Sequence, residues 1–93
     1  MKRLQSYSKN GYRFEILQRV GDFAVFGGTS DQVFKPTFEV IEIQSHDGRV
    51  IGSADYPPAE YPPSNSQWGT KGWTMTRFES AMEKLKELIE TNQ

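Results

Sequence analysis

The chain has 93 residues, the size of one domain, and it contains no cysteine. This composition excludes disulfides, iron–sulfur clusters, thiolate zinc sites and cysteine nucleophiles. With 11 basic and 12 acidic residues the formal net charge is −1, so the field of the whole molecule does not favour nucleic acid. No apolar run approaches the roughly 20 residues of a membrane-spanning helix, and no hydrophobic stretch follows the basic N-terminus as in a secretory signal. We therefore expect a cytoplasmic protein without a membrane partner.

The first thirty residues predict a polar arm followed by a β-hairpin. Residues 1–10 are polar and end in a turn signal, so we expect a flexible N-terminal arm in front of a single domain, residues 11–93. In residues 11–20 apolar and polar side chains alternate with the period of two that is typical of a strand. A turn at Gly21-Asp22 then predicts a second strand over residues 23–28.

The middle of the chain predicts a second hairpin. The segment from Thr37 to Gln44 is rich in β-branched side chains and is the strongest strand prediction in the sequence. Asp47-Gly48 follows it, and Asp-Gly between two apolar runs favours a type I′ turn, because that turn needs positive φ at both central residues. We therefore expect a return strand from Val50 to Ala54.

A segment rich in proline and aromatic residues, 56–73, separates these strands from the end of the chain. It contains Tyr-Pro-Pro twice. Because proline lacks a backbone donor and has a fixed φ, residues 56–63 cannot form an interior strand or a helix. Two interpretations stay open: the aromatic side chains pack over an open sheet face, or some stay exposed for recognition, as in binding hot spots. The candidate partner-binding residues are Tyr56, Tyr61, Asn65, Gln67, Trp68 and Trp73.

The end of the chain predicts a short strand over residues 73–75 and then an amphipathic helix. Thr76 and Glu79 have the spacing of a capping box, in which each side chain bonds the backbone N–H of the other residue. Apolar residues then recur at three- and four-residue spacing, so the helix should run from about residue 77 to residue 90. The predicted fold class is α+β: an antiparallel sheet of four or five strands, followed by one C-terminal amphipathic helix packed on it.

No group of residues in the sequence predicts catalysis, a metal site or a cofactor. His46 is the only histidine and has no nucleophile beside it. Glu39 and Glu42 are three residues apart on one predicted strand, where an ideal strand directs them to opposite faces, so surface charge is the better interpretation. Gly27-Gly28 lacks the lysine and spacing of a phosphate-binding loop.

One stretch resembles a segment of small uncharacterised proteins encoded by bacteria and their phages, P-S-N-x-Q-W-G-x-x-G-W-T. Here it runs from Pro63 to Thr74 as PSNSQWGTKGWT, and the resemblance extends over residues 38–89. It implies no activity, but it suggests that the loop is a family feature and that the protein has an accessory phage or prophage role. A fainter likeness is to the WGR domain, a nucleic-acid-contacting module, although Thr70 stands where that family has its arginine.

These observations favour a small non-enzymatic binding protein, phage- or prophage-type, that engages a protein partner through the Pro/aromatic loop. The alternative is a small nucleic-acid-binding module in which the loop aromatics stack on bases and Arg13, Arg49 and Lys71 contact phosphates. A third hypothesis is a homo-oligomer held together by the pairing of edge strands.

Overall fold

The computed structural model of the chain describes residues 2–32 and 35–92, with every side chain in these ranges except those of Arg49 and Ile51. The strands are β1 (Ser6–Lys9), β2 (Tyr12–Val20), β3 (Phe23–Thr29), β4 (Thr37–Glu42), β5 (Gln44–His46), β6 (Arg49–Ile51), β7 (Ala54–Tyr56), β8 (Ala59–Tyr61) and β9 (Gly72–Met75). A short 3₁₀ turn, Asn65–Gln67, precedes β9, and helix α1, Phe78–Thr91, follows it.

Five of these strands form one curled antiparallel sheet in the order β1-β2-β3-β4-β9. Helix α1 packs on one face of it, so the predicted α+β fold is confirmed. The turn Asn10-Gly11 joins β1 to β2, with φ of 53° and 82° at its two residues. Positive φ at both positions is what a two-residue type I′ hairpin requires, and Asn-Gly is its preferred sequence.

The prediction of a loose arm over residues 1–10 is wrong for the second half of that segment. Ser6–Lys9 is strand β1, and Leu4 is buried in the core. The predicted turn at the end of the segment is present at Asn10-Gly11, but a hairpin turn needs a strand on each side of it. The residues before Asn10 supply that strand, and Tyr7 stacks on Phe14 of β2 with the ring centroids 5.2 Å apart.

The remaining strands form two small ribbons, β5 with β8 and β6 with β7. The predicted hairpin at Asp47-Gly48 is wrong, because β6 turns back at Gly52-Ser53 to pair with β7. Asn10 is the one non-glycine residue with positive φ in the described parts of the chain. Asp47 therefore lacks the backbone conformation that a type I′ turn needs at its first central residue. The strands next to the prolines, β7 and β8, lie outside the main sheet, which agrees with the rarity of proline inside a sheet.

Helix α1 begins one residue later than the capping-box prediction implies. Its N-cap is Arg77, which has extended backbone geometry and makes no side-chain cap hydrogen bond. The predicted box between Thr76 and Glu79 is therefore wrong. The chain is still extended at Arg77 as it leaves β9, so Thr76 stands outside the helix and one residue too far from the first turn.

The two faces of the sheet carry separate hydrophobic cores. On one face α1 covers the sheet, and the buried residues there are Val25, Val40, Ala81 and Leu85. The opposite face is covered by the N-terminal residues and by Trp68, and its buried residues are Leu4, Phe14, Ala24, Phe26, Ile41 and Ile43. The N-terminal residues and Trp68 of the aromatic loop thus cover one face of the sheet, and helix α1 covers the other. In the described part of the chain, no helix is long and apolar enough to cross a membrane.

Candidate functional site

The two tryptophans of the loop lie on opposite faces of the sheet. In β9, Trp73 is paired with Val40, whose side chain belongs to the core under the helix. The next residue, Thr74, is paired with Glu39 on the other face, because successive side chains of a strand alternate. Trp68 packs on that other face. The predicted loop aromatics therefore do not form one continuous surface.

The indole of Trp68 is held in place from three directions. Its Nε1–H donates a hydrogen bond to Thr74 Oγ1 over 3.0 Å. Gly72 lies against its six-membered ring, so closely that a Cβ on Gly72 would be 2.5 Å from the nearest ring atom. Lys9 Nζ lies 3.1 Å from the ring centroid, a cation–π contact. Trp68 is thus a fixed wall rather than a mobile side chain.

Glu39 is the buried centre of a polar network beside this indole. Its side chain accepts hydrogen bonds from Tyr7 Oη at 2.6 Å, Lys9 Nζ at 3.2 Å and Thr74 Oγ1 at 3.2 Å. The residue is only 3% exposed, so the interpretation of Glu39 as surface charge is wrong. A buried carboxylate is tolerated when charges and hydrogen bonds compensate it, and here Lys9 supplies the opposite charge.

The pKa of the Tyr7 phenol is affected by the same network. Burial raises the pKa of Tyr7 well above its ordinary value, and the hydrogen bond to Glu39 and the charge of that carboxylate raise it further. Tyr7 therefore stays a neutral donor throughout the physiological range. The network joins side chains from β1, β4 and β9, so it holds these three strands together.

An open cleft lies over this network, with a volume of about 430 Å³. A smaller cavity of about 260 Å³ adjoins it and shares Lys9, Asn65 and Trp68. Of the predicted site residues, the cleft brings together Asn65 and Trp68. The full lining of the larger cavity is Lys9, Asn10, Tyr12, Phe14, Thr37, Glu39, Asn65, Trp68 and Thr74.

Sequence reasoning missed most of these lining residues, since they come from four separate segments. One usable signal was the Asn-Gly turn, because it places Lys9 and Tyr12 opposite each other on neighbouring strands. Gln67, a predicted contact residue, does not line the cleft. Its Oε1 accepts a hydrogen bond from the backbone N–H of Ser64 at 2.9 Å and so stabilises the 3₁₀ turn.

Tyr56 and Tyr61 lie in the small ribbons and are exposed, as is Val50 beside them in sequence. Tyr61 pairs with Gln44 across β5 and β8, and its ring lies 5.9 Å from the ring of His46. These side chains are separate from the cleft. The predicted partner-binding set is thus divided: Asn65 and Trp68 line the cleft, and Tyr56 and Tyr61 lie in the ribbons. Gln67 belongs to the 3₁₀ turn, and Trp73 lies on the face covered by the helix.

The predicted nucleic-acid contacts do not converge on Trp68. Arg13 follows the alternation of β2 to the face opposite Phe14 and pairs with Glu15 at 3.3 Å. Lys71 pairs with Glu42. The side chain of Arg49 lies outside the described part of the chain. Two of the three candidate cations therefore already have carboxylate partners.

Within residues 2–32 and 35–92, no group of three or more His, Cys, Asp or Glu side chains could hold a metal ion. The arrangement offers two features for recognition: an open neutral cleft beside Trp68, and exposed apolar side chains in the ribbons. Comparison with protein-family models, with curated proteins and with solved structures finds no match for this chain.

Proposed function

We propose that the chain is a non-enzymatic binding protein and that it engages a protein partner through residues 49–61. This segment contains strands β6, β7 and β8, and from here on we call it the ribbon. One observation carries the proposal: Val50 is 69% exposed, Tyr56 48% and Tyr61 38%. Large apolar side chains concentrated in one exposed segment mark interaction sites. Tyrosine is also among the residues that most often carry binding energy at protein interfaces.

The pairing within the ribbon determines how a partner would meet it. Val50 is opposite Asp55 and Arg49 is opposite Tyr56, so Val50 and Tyr56 project from opposite faces of the β6–β7 hairpin. Every described residue from Gly52 to Pro58 is exposed. A hairpin with apolar groups on both faces fits a groove that encloses it better than a flat surface that covers one side.

The ribbon is rigid at its base, which lowers the entropy lost on binding. Arg19 donates to both carboxylate oxygens of Glu60 in β8, each at 2.7 Å. The backbone N–H of Leu4 donates to the same carboxylate at 2.8 Å. Pro57 and Pro58 restrict the backbone between β7 and β8. Binding through the ribbon would therefore order few additional residues.

The setting that we propose is an accessory role of phage or prophage type in the cytoplasm. Its support is the resemblance of residues 63–74 to a segment of small proteins encoded by bacteria and their phages. The quoted segment contributes Asn65, Trp68 and Thr74 to the cleft, and the ribbon lies in the wider stretch, residues 38–89, over which the resemblance extends.

The test compares three forms of the full chain as immobilised bait: the wild type, Tyr56→Ala and Leu17→Ala. Leu17 is the matched control, because it is a similarly exposed apolar residue outside the ribbon, at 51%. Proteins retained from a bacterial extract are identified, purified and titrated against each form. We expect a partner whose affinity falls at least about tenfold with Tyr56→Ala, a loss of about 1.4 kcal/mol, and is unchanged with Leu17→Ala. If no retained protein distinguishes Tyr56→Ala from the wild type, the ribbon is not the binding surface.

A further inference from the structure

The charged groups of the cleft neutralise one another. Glu39 accepts from Lys9, and Lys9 is also held against the ring of Trp68. Tyr7 and Thr74 donate two further hydrogen bonds to this carboxylate. Among the described residues that line it, the cleft therefore presents no unpaired cation to a phosphate or carboxylate and no unpaired anion to an amine. Its internal neutrality favours a ligand without net charge.

The polar groups that remain open to a ligand are all neutral. Asn10 and Asn65 contribute amides that are exposed to solvent, and Thr37 and Tyr12 contribute hydroxyls. In the described part of the chain, the side-chain hydrogen bonds within the cleft join Trp68 to Thr74, and Tyr7, Lys9 and Thr74 to Glu39, and none of them involves these four side chains. An amide or hydroxyl side chain can both donate and accept, so these groups match a ligand whose own groups also do both.

Between these polar groups lies an aromatic floor. The rings of Tyr12 and Phe14 are stacked, with centroids 6.0 Å apart and an interplanar angle of 30°. Trp68 also lines the cleft, with Lys9 Nζ over its ring. The volume of about 430 Å³ lies in the range of small-molecule sites, which combine apolar walls with a few polar groups that fix orientation.

We propose that this cleft is a binding site for a neutral saccharide. A sugar ring combines one apolar C–H face with a periphery of hydroxyl groups, each of which donates and accepts. The Tyr12 ring receives the C–H face, and the amides of Asn10 and Asn65 bond the hydroxyls at the rim. The site lies apart from the ribbon, so this inference goes beyond the proposed protein-binding function and does not depend on it.

The test is a titration of the full chain with glucose, galactose, N-acetylglucosamine, maltose and cellobiose, followed by backbone amide NMR shifts. We expect a saturable shift with at least one sugar, confined to the cleft-lining residues. A second readout uses the fluorescence of a Trp73→Phe variant, in which Trp68 is the one remaining indole. Saturable change in that emission should give the same affinity as the NMR shifts.

Three variants make the result specific. Asn65→Ala removes an exposed amide, and Asn10→Gly removes the other while it keeps a residue that accepts positive φ. Each should weaken sugar binding about tenfold, equivalent to a loss of about 1.4 kcal/mol. Tyr56→Ala should leave it unchanged. The proposal is overturned if no sugar gives a saturable change, or if Asn65→Ala binds sugar as the wild type does.

Discussion

At the scale of the single residue, the most informative position is Glu39. It stands in the strongest predicted strand, between apolar neighbours, and yet it is charged and buried. Three donors from two other strands meet it there. Its environment follows from the curl of the sheet, which brings β1 over β4 although the two strands are not neighbours. No local pattern in the sequence contains that information.

The first prediction concerns this carboxylate. Glu39→Gln keeps the shape of the side chain but removes the charge that Lys9 faces. We expect the free energy of unfolding in urea to fall by roughly 1.5–3 kcal/mol, the usual size of hydrogen bonds to a charged group. Glu15→Gln is the matched control, since the side chain of Glu15 is 66% exposed in its pair with Arg13 and should change stability by less than about 1 kcal/mol. Equal effects of the two variants would show that Glu39 has no special role.

The second prediction concerns the glycine under Trp68. In Gly72→Ala the new Cβ would lie 2.5 Å from the indole, which Lys9 and Thr74 hold in place. The indole or β9 must shift, and we expect a loss of roughly 1–3 kcal/mol in unfolding free energy, as for other overpacked sites.

The control for this variant is Gly27→Ala. Its Cβ would meet the end of the Leu17 side chain at 3.0 Å, and that exposed side chain is free to move aside. Denaturant unfolding followed by tryptophan emission measures both variants. A Gly72→Ala protein as stable as Gly27→Ala would mean that Trp68 is not clamped as described.

At the scale of the element, the join between the ribbon and the main sheet depends on one ion pair. Arg19 of β2 and Glu60 of β8 form a two-pronged contact, and both side chains are mostly buried. The pKa of Glu60 is lowered to about 2, chiefly by the hydrogen bonds from Arg19 and also by the hydrogen bond from the Leu4 backbone, against the opposing effect of burial.

The third prediction is the pH dependence that follows from this contact. The pKa of Glu60 is lower in the folded protein than in the unfolded chain, so its stabilising effect is present above about pH 4.5. It should be lost as the pH falls towards 2. We expect the difference in unfolding free energy between the wild type and Glu60→Gln to be largest near neutral pH and to shrink below pH 4.5. A difference that stays constant down to acid pH would contradict the assignment.

At the scale of the whole molecule, the N-terminal residues link the parts of the fold. Leu4 is buried in the core opposite the helix, and Lys2 bridges to Ala59 of the ribbon. The backbone carbonyl of Gln5 accepts from Ile16 in β2 at 2.9 Å. The segment that was expected to be a flexible arm therefore contacts both the main sheet and the ribbon.

The fourth prediction tests this link. Leu4→Ala should lower the free energy of unfolding by roughly 2–4 kcal/mol, within the range for a leucine truncated in a core. Leu17→Ala, at a leucine that is 51% exposed, should change it by no more than about 0.5 kcal/mol. Thermal unfolding followed by both helix circular dichroism and tryptophan emission measures the effect. A Leu4→Ala protein that melts like Leu17→Ala would restore the interpretation of a loose arm.

Local patterns in the sequence determined the elements whose environment is set by near neighbours. The alternation of β2 and the apolar stripe of α1 predicted these elements to within about one residue, because each pattern reports which side of a single element is buried. The same holds for the exclusion of proline-rich residues 56–63 from the main sheet. Asn65 and Trp68, two of the residues that the sequence marked as candidate partner contacts, line the cleft, although no cleft was predicted.

Tertiary structure alone decided the pairing of β5 with β8, the opposite faces of Trp68 and Trp73, and the burial of Glu39. Each depends on residues that are distant along the chain. The edge of a strand such as β5 can pair with any strand of suitable length. The hairpin turn forms at Gly52-Ser53 instead of at Asp47-Gly48. The environment of Glu39 is set only when the curl of the sheet brings Tyr7 and Lys9 next to it. The free energy that selects these contacts comes from the assembled core, which no single segment contains.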